Sequence, residues 1–262
     1  MFRIVLIIVT LLLPIKLIAQ SYPILLSQSE IETLANLIWE NEGAGSNENL
    51  TVWNRNENFP SLGIGHFIWY PTEQKGPYIE QFPQFINYLV ANKIILPDWL
   101  IQQKTAPWQT REIFYDEFNG VQLTQLRKLM QDTVSLQATF IIKRLEKGIP
   151  DILNASTEQE KIKINKSLSS LTSSPEGIFV LLDYINFKGE GISTKERYQG
   201  YGWGLKQVLL AMPDNSENPI LSFALSADEM LTRRVKNAPR DEFNWLKGWR
   251  VRLYKYPLLE IE

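Results

Sequence analysis

The stretch FPSLGIGHFIWYP, Phe59 to Pro71, constrains the fold of this chain more than any other segment. Two glycines and a serine stand between a proline and a block of aromatics, together with the only histidine among 262 residues. Such a run makes a poor generic strand, because each interior glycine removes a packing side chain and adds backbone freedom. The backbone at Gly63 and Gly65 is therefore expected to approach something closely. Around it, Leu50 to Tyr70 is rich in β-branched, aromatic and turn-forming residues, which points to a small sheet or hairpins.

The rest of the chain reads as helix. Ser27 followed by Glu30 makes a capping box, and Ile31, Leu34, Ala35 and Ile38 recur at helical spacing up to Gly43, the expected C-cap. Leu123, Leu126, Met130, Val134 and Ile141 fall in one long helical stretch. GIFVLLDYINF follows Ser174-Pro175, a serine cap with proline at the first helical position, and reads as a buried helix. Prolines at 71, 77, 83, 97 and 107 break the middle into short connections, and MPDNSENP marks a loop before the C-terminal helices. With neither repeats nor a low-complexity linker, residues 20–262 are expected to form a single α-rich domain with a minor β element.

The N-terminus, MFRIVLIIVTLLLPIKLIAQSYP, has a basic Arg3, an apolar run from Ile4 to Leu13 and a small Ala19. It reads as a secretory signal peptide, residues 1–19, cleaved after Ala19, which makes the mature protein periplasmic or secreted. The other reading is a membrane anchor, for which the apolar run before Pro14 and Lys16 is short. The absence of cysteine excludes disulfides, thiolate chemistry and a lipid anchor on cysteine. With 27 basic and 29 acidic residues there is no electrostatic footprint for nucleic acid. One histidine and scattered carboxylates give no metal spacing, so neither metal nor cofactor is expected.

Helix geometry separates the two glutamates of LIWENEG. At about 100° per residue, Glu42 lies within roughly 20° of Ile31, on the face of Leu34, Ala35 and Ile38, whereas Glu40 comes out opposite. A carboxyl on the apolar side is desolvated, and at a helix C-terminus the dipole disfavours its anion. Both effects raise its pKa, as a general acid near neutral pH requires. The alternative is a helix frayed at Asn41, with Glu42 in solvent.

A glutamate ending a helix as Glu42-Gly43, followed by a β segment of the form Ser/Thr-x-Gly-Ile-Gly-His, here SLGIGH from Ser61 to His66, resembles the phage-type lysozymes of the lysozyme-like superfamily. The resemblance implies a mainly α fold with a small β element (α+β), peptidoglycan glycan strands as substrate, Glu42 as the acid that protonates the glycosidic oxygen, and Ser61 in the cleft. On this reading Gly63 and Gly65 bring backbone close to a sugar ring or to the catalytic helix, and His66 orients the loop by hydrogen bonding, the alternative being a base. The segment LTRRVKNAPRDEFNWLKGW is similar, more weakly, to the arginine-rich closing helices of phage endolysins.

The likeness covers mainly residues 31–70, and it departs from the family: the interval from Glu42 to Ser61 is a few residues longer than in the phage enzymes. No aspartate lies between Glu42 and Ser61 to act as the second carboxylate; Glu57 is the nearest substitute. Glu57 either positions a water for inverting hydrolysis or is a solvated loop residue. A missing second carboxylate also suits the lytic transglycosylases of the same superfamily, in which one glutamate serves as acid and then base. LLDYINFKGEG and GYGWGLKQVLL supply Tyr184, Asn186, Glu190, Trp203 and Gln207 as candidate sugar contacts, the first loosely resembling the Tyr-Asn-x-Gly element of those enzymes. Tyr184 on an apolar helical face suits the core as well. A third reading is a noncatalytic glycan-binding or envelope-assembly protein that keeps the cleft.

Overall fold

Ser27 starts the first helix as the capping box requires. Its Oγ accepts from the Glu30 N–H at 3.3 Å, and the Glu30 carboxylate accepts from the Ser27 N–H at 2.6 Å. The computed structural model describes residues 23–76 and 78–261, and the expected signal peptide lies outside them. Their order is α1 (Gln28–Gly43), β1 (Thr51–Val52), β2 (Ser61–Leu62), β3 (Phe67–Ile68), α2 (Phe82–Ala91), α3 (Asp98–Ile101), α4 (Arg111–Asp116), α5 (Val121–Asp132), α6 (Val134–Asn154), α7 (Glu158–Leu171), α8 (Pro175–Lys188), β4 (Arg197–Tyr198), β5 (Tyr201–Gly202), α9 (Leu205–Ala211), α10 (Pro219–Asn237) and α11 (Phe243–Leu253). The protein is thus mainly helical with a small antiparallel sheet, β1–β2–β3, and a separate β4–β5 hairpin.

The apolar stripe of α1 packs on α6, and one core cluster runs from Leu34 to Tyr256. The end of α1 lies one residue beyond the expected cap. Ala44, at φ 49, takes the left-handed position, and its N–H donates to the Glu40 carbonyl at 3.1 Å. Glu42 therefore stays within the last helical turn instead of fraying from it.

Two further expectations are corrected. The stretch from Leu123 to Ile141 is two helices, broken at Thr133, whose Oγ1 donates back to the Leu129 carbonyl at 2.7 Å. The break is sealed by Gln137, fully buried, whose Nε2 donates to the Met130 carbonyl at 2.6 Å at the end of α5. Pro83 and Pro97 open helices α2 and α3 rather than interrupting them, since the N–H that proline lacks has no partner in a first turn. Helix α7, with its own capping box from Thr157 and Glu160, is an element that the apolar patterning alone does not announce.

The same Gln137 explains the glycines of the opening stretch. Its Oε1 accepts from the Ile64 N–H at 2.8 Å. Gly63 adopts φ +72, and a Cβ there would lie 2.2 Å from that Oε1; a Cβ at Gly65 would lie 2.4 Å from the Phe67 ring and 3.1 Å from Ile141. Within the protein, the close approach at both positions is thus to α5 and α6 and to the loop's own phenylalanine rather than to α1. Gly45, at φ +64, has open space where its Cβ would be. Alanine at Gly45 is expected to cost about 1–2 kcal/mol for the left-handed backbone alone. Gly63→Ala should cost about 1–3 kcal/mol more, because it also overpacks against Gln137. Chemical denaturation of both variants tests this, and equal losses would contradict the role given to Gln137.

Candidate active site

Glu42 leaves the last turn of α1 with its side chain 13% exposed, while Glu40 faces solvent. The helical wheel separates them correctly. The carboxylate meets Arg252, from the last turn of α11: Nη2 donates to Glu42 Oε1 at 2.5 Å. The same guanidinium holds Asp183 of α8 in a fork, Nε to Oδ2 at 2.7 Å and Nη2 to Oδ1 at 2.6 Å. Asp183 lies in the buried run of α8, among Phe179, Val180, Leu181 and Leu182, where an isolated carboxylate is strongly unfavourable; Arg252 and the Tyr256 hydroxyl, 2.5 Å from Oδ2, satisfy it.

On its other side Glu42 Oε2 lies 3.5 Å from His66 Nδ1. His66 sits at φ 47, a left-handed conformation at the end of the turn that Gly63 begins, and its side chain is 29% exposed. The Asn186 side chain lies close enough to help hold the Glu42 carboxyl down, and its Oδ1 accepts from Arg144 Nη1 at 3.5 Å. Burial pushes the Glu42 carboxyl up, but the Arg252 charge, then His66, then hydrogen bonds from Arg252 and Asn186 outweigh it. Its pKa is held below the ordinary value of 4.5. This reverses the expectation of a raised pKa. The desolvation is as anticipated, but the compensating cation comes from 210 residues away.

The other expected site residues divide. Ser61 is buried in β2, where it pairs with Val52 and Ile68. The Glu57 carboxylate accepts from Asn54 Nδ2 at 3.0 Å within its own loop, and it is not among the groups acting on Glu42. Tyr184 is corrected to a core residue: it is fully buried, and its hydroxyl donates to the Trp203 carbonyl at 2.7 Å. Trp203, 6% exposed, packs its ring 4.6 Å from Tyr198. Gln207 is also internal bracing, accepting from the Gly204 N–H and donating to the Gly191 carbonyl, both at 3.0 Å. The Glu190 charge acts on Arg144, and its side chain lies beside Gly148.

Glu42, His66 and Asn186 are thus brought together, and Arg252, Asp183 and Arg144 are the participants that sequence reasoning missed. One signal for them was present. A lone aspartate on an apolar helix needs a buried cation, and the arginine-rich C-terminus is a natural source. Cavities of ≈ 450 Å³ beside Lys166 and Asn215, and of ≈ 320 Å³ beside Trp69 and Leu100, do not include Glu42. No family model, curated protein or solved structure matches this chain.

At neutral pH the cluster presents a carboxylate held between a guanidinium and an imidazole, an arrangement suited to proton transfer. Its linkage to folding has a definite sign. Because the folded pKa is depressed, Glu42 contributes stability above pH 4.5 that is lost as pH falls through the folded value. The wild type is therefore expected to lose more stability between pH 7 and pH 3 than Glu42→Gln, as measured by urea denaturation at both pH values. An identical pH dependence would contradict the ion pair.

Proposed function

We propose that the protein is a lysozyme-like enzyme that cleaves the glycan strands of peptidoglycan, with Glu42 transferring the proton to the glycosidic oxygen. The observation that carries this reading is the 3.5 Å approach of His66 to Glu42. The two halves of the sequence resemblance, a glutamate closing a helix and a Gly-Ile-Gly-His turn, meet at one partly exposed point. Glu42 is ionised when the site is at rest, so the acid form has to be acquired before the bond breaks. A ligand that weakens the hold of Arg252, or an acidic medium, supplies that condition.

A single-glutamate mechanism, as in the lytic transglycosylases, is the second reading. It is favoured by the position of Glu57, whose carboxylate is bound within its own loop while the partners of Glu42 are Arg252, His66 and Asn186. In that chemistry Glu42 protonates the leaving oxygen and then accepts the proton of the sugar hydroxyl that closes onto the anomeric carbon, so no second carboxylate is needed.

Incubation of purified peptidoglycan with the protein, followed by mass spectrometry of the released fragments, tests both. Wild type is expected to release glycan fragments, and Glu42→Gln to be at least about a hundredfold slower, the low end of what general acid catalysis contributes. Glu40→Gln should match wild type. Reducing ends identify hydrolysis and anhydro ends the second reading. No release by the wild type, with the fold intact, would contradict the enzymatic proposal and leave a glycan-binding role.

A further inference from the structure

One nitrogen serves two carboxylates. Arg252 Nη2 donates to Glu42 Oε1 at 2.5 Å and to Asp183 Oδ1 at 2.6 Å, so the two acceptor oxygens are no more than about 5 Å apart, close enough for each negative charge to disfavour the other. Their holds on the guanidinium are unequal. Asp183 also takes Nε, at 2.7 Å to Oδ2, and the Tyr256 hydroxyl fixes that same oxygen, whereas Glu42 has one bond to the arginine. The Asp183 side chain is 1% exposed and that of Glu42 13%. The buried carboxylate has first claim on the cation, and the carboxylate open to the outside has what remains.

An apolar side chain at position 183 would fill the buried run of α8 with no charge to desolvate, and it would leave the guanidinium to Glu42 alone. A Glu42 with undivided possession of Arg252 is a firmer anion and a poorer source of protons.

Resting on the reading of Glu42 as the proton donor, we infer that Asp183 is a positioning residue for that transfer: it aims Arg252 Nη2 at Glu42 and, by competing for the same nitrogen, keeps Glu42 able to take up and give a proton. Burial raises the Glu42 pKa and the Arg252 charge brings it below 4.5; Asp183 limits how far the second effect goes. The other groups that face the pair are His66, 3.5 Å from Glu42, Asn186 and Lys188 from α8, Arg144 from α6 through Asn186, and Tyr256. Arg252 is the group that touches both carboxylates.

Titration of the Glu42 carboxyl by ¹³C NMR in Asp183→Asn, beside wild type, tests the inference, because tuning and simple anchoring predict opposite signs. Asparagine keeps an acceptor for Arg252 and loses the charge, so the Glu42 midpoint is expected to fall by about one pH unit or more, a tenfold change in proton affinity. If Asp183 only anchors the arginine, the variant frees the guanidinium and the midpoint rises as burial takes over. A rise or an unchanged midpoint overturns the inference. In glycan cleavage, the limb on which activity falls with rising pH should move to lower pH in the same variant, and a limb that stays in place also overturns it. Should Asp183→Asn fail to fold, the wild type decides: the Asp183 carboxyl signal is expected to step as Glu42 takes its proton, at the same midpoint, and the step to vanish in Glu42→Gln. No step overturns the inference. Any of these failures in a protein that still cleaves glycan leaves the reading of Glu42 standing. A wild type that cleaves nothing removes that reading, and the role given to Asp183 with it.

Discussion

The guanidinium of Arg252 is the contact on which the arrangement of the site depends. It joins the end of α1 through Glu42, the middle of α8 through Asp183, and its own helix α11, with Tyr256 completing the carboxylate's shell. Asp183 is buried, so this network is the condition on which the buried middle of α8 carries a charge. Removing one partner of a buried pair of this kind costs about 3–5 kcal/mol, largely through the charge left behind. The C-terminal helix is therefore tied to the site by electrostatics in addition to the apolar packing of Leu246 and Leu253, whereas α1 and α6 meet through apolar packing.

The same contact determines the protonation state of Glu42. Helix position and burial alone would make this carboxyl a poor anion and a ready acid. Arg252, His66 and Asn186 reverse that balance. A site of this design keeps its carboxylate ionised and in place until something alters the surrounding charge.

Local signals in the sequence carried far. The capping box at Ser27, the serine and proline that open α8, the short strands around Leu50 to Tyr70, and the opposite faces taken by Glu40 and Glu42 are each decided by neighbours within a few residues, and each is legible from the residues alone. What depended on distant partners was not. Gly63 answers to Gln137, Glu42 to Arg252, and the Tyr184 hydroxyl to the Trp203 carbonyl. Tyr184 and Gln207 look like sugar contacts because glycines and aromatics surround them, yet those glycines exist to let the α8–α9 connection close on itself, with Gly191 and Gly204 both packed against it. The break at Thr133 escaped apolar periodicity because the leucines and isoleucines on either side keep the helical spacing.

The most direct test of this account is the ionisation of Glu42 itself, read from the ¹³C shift of its side-chain carboxyl as pH is varied in the free protein, with Glu42→Gln used to assign the signal. A midpoint below 4.5 is expected, since the Arg252 charge outweighs burial. A midpoint above that value would contradict the account. It would mean that desolvation dominates, that Arg252 does not set the charge at the end of α1, and that the site rests in the acid form.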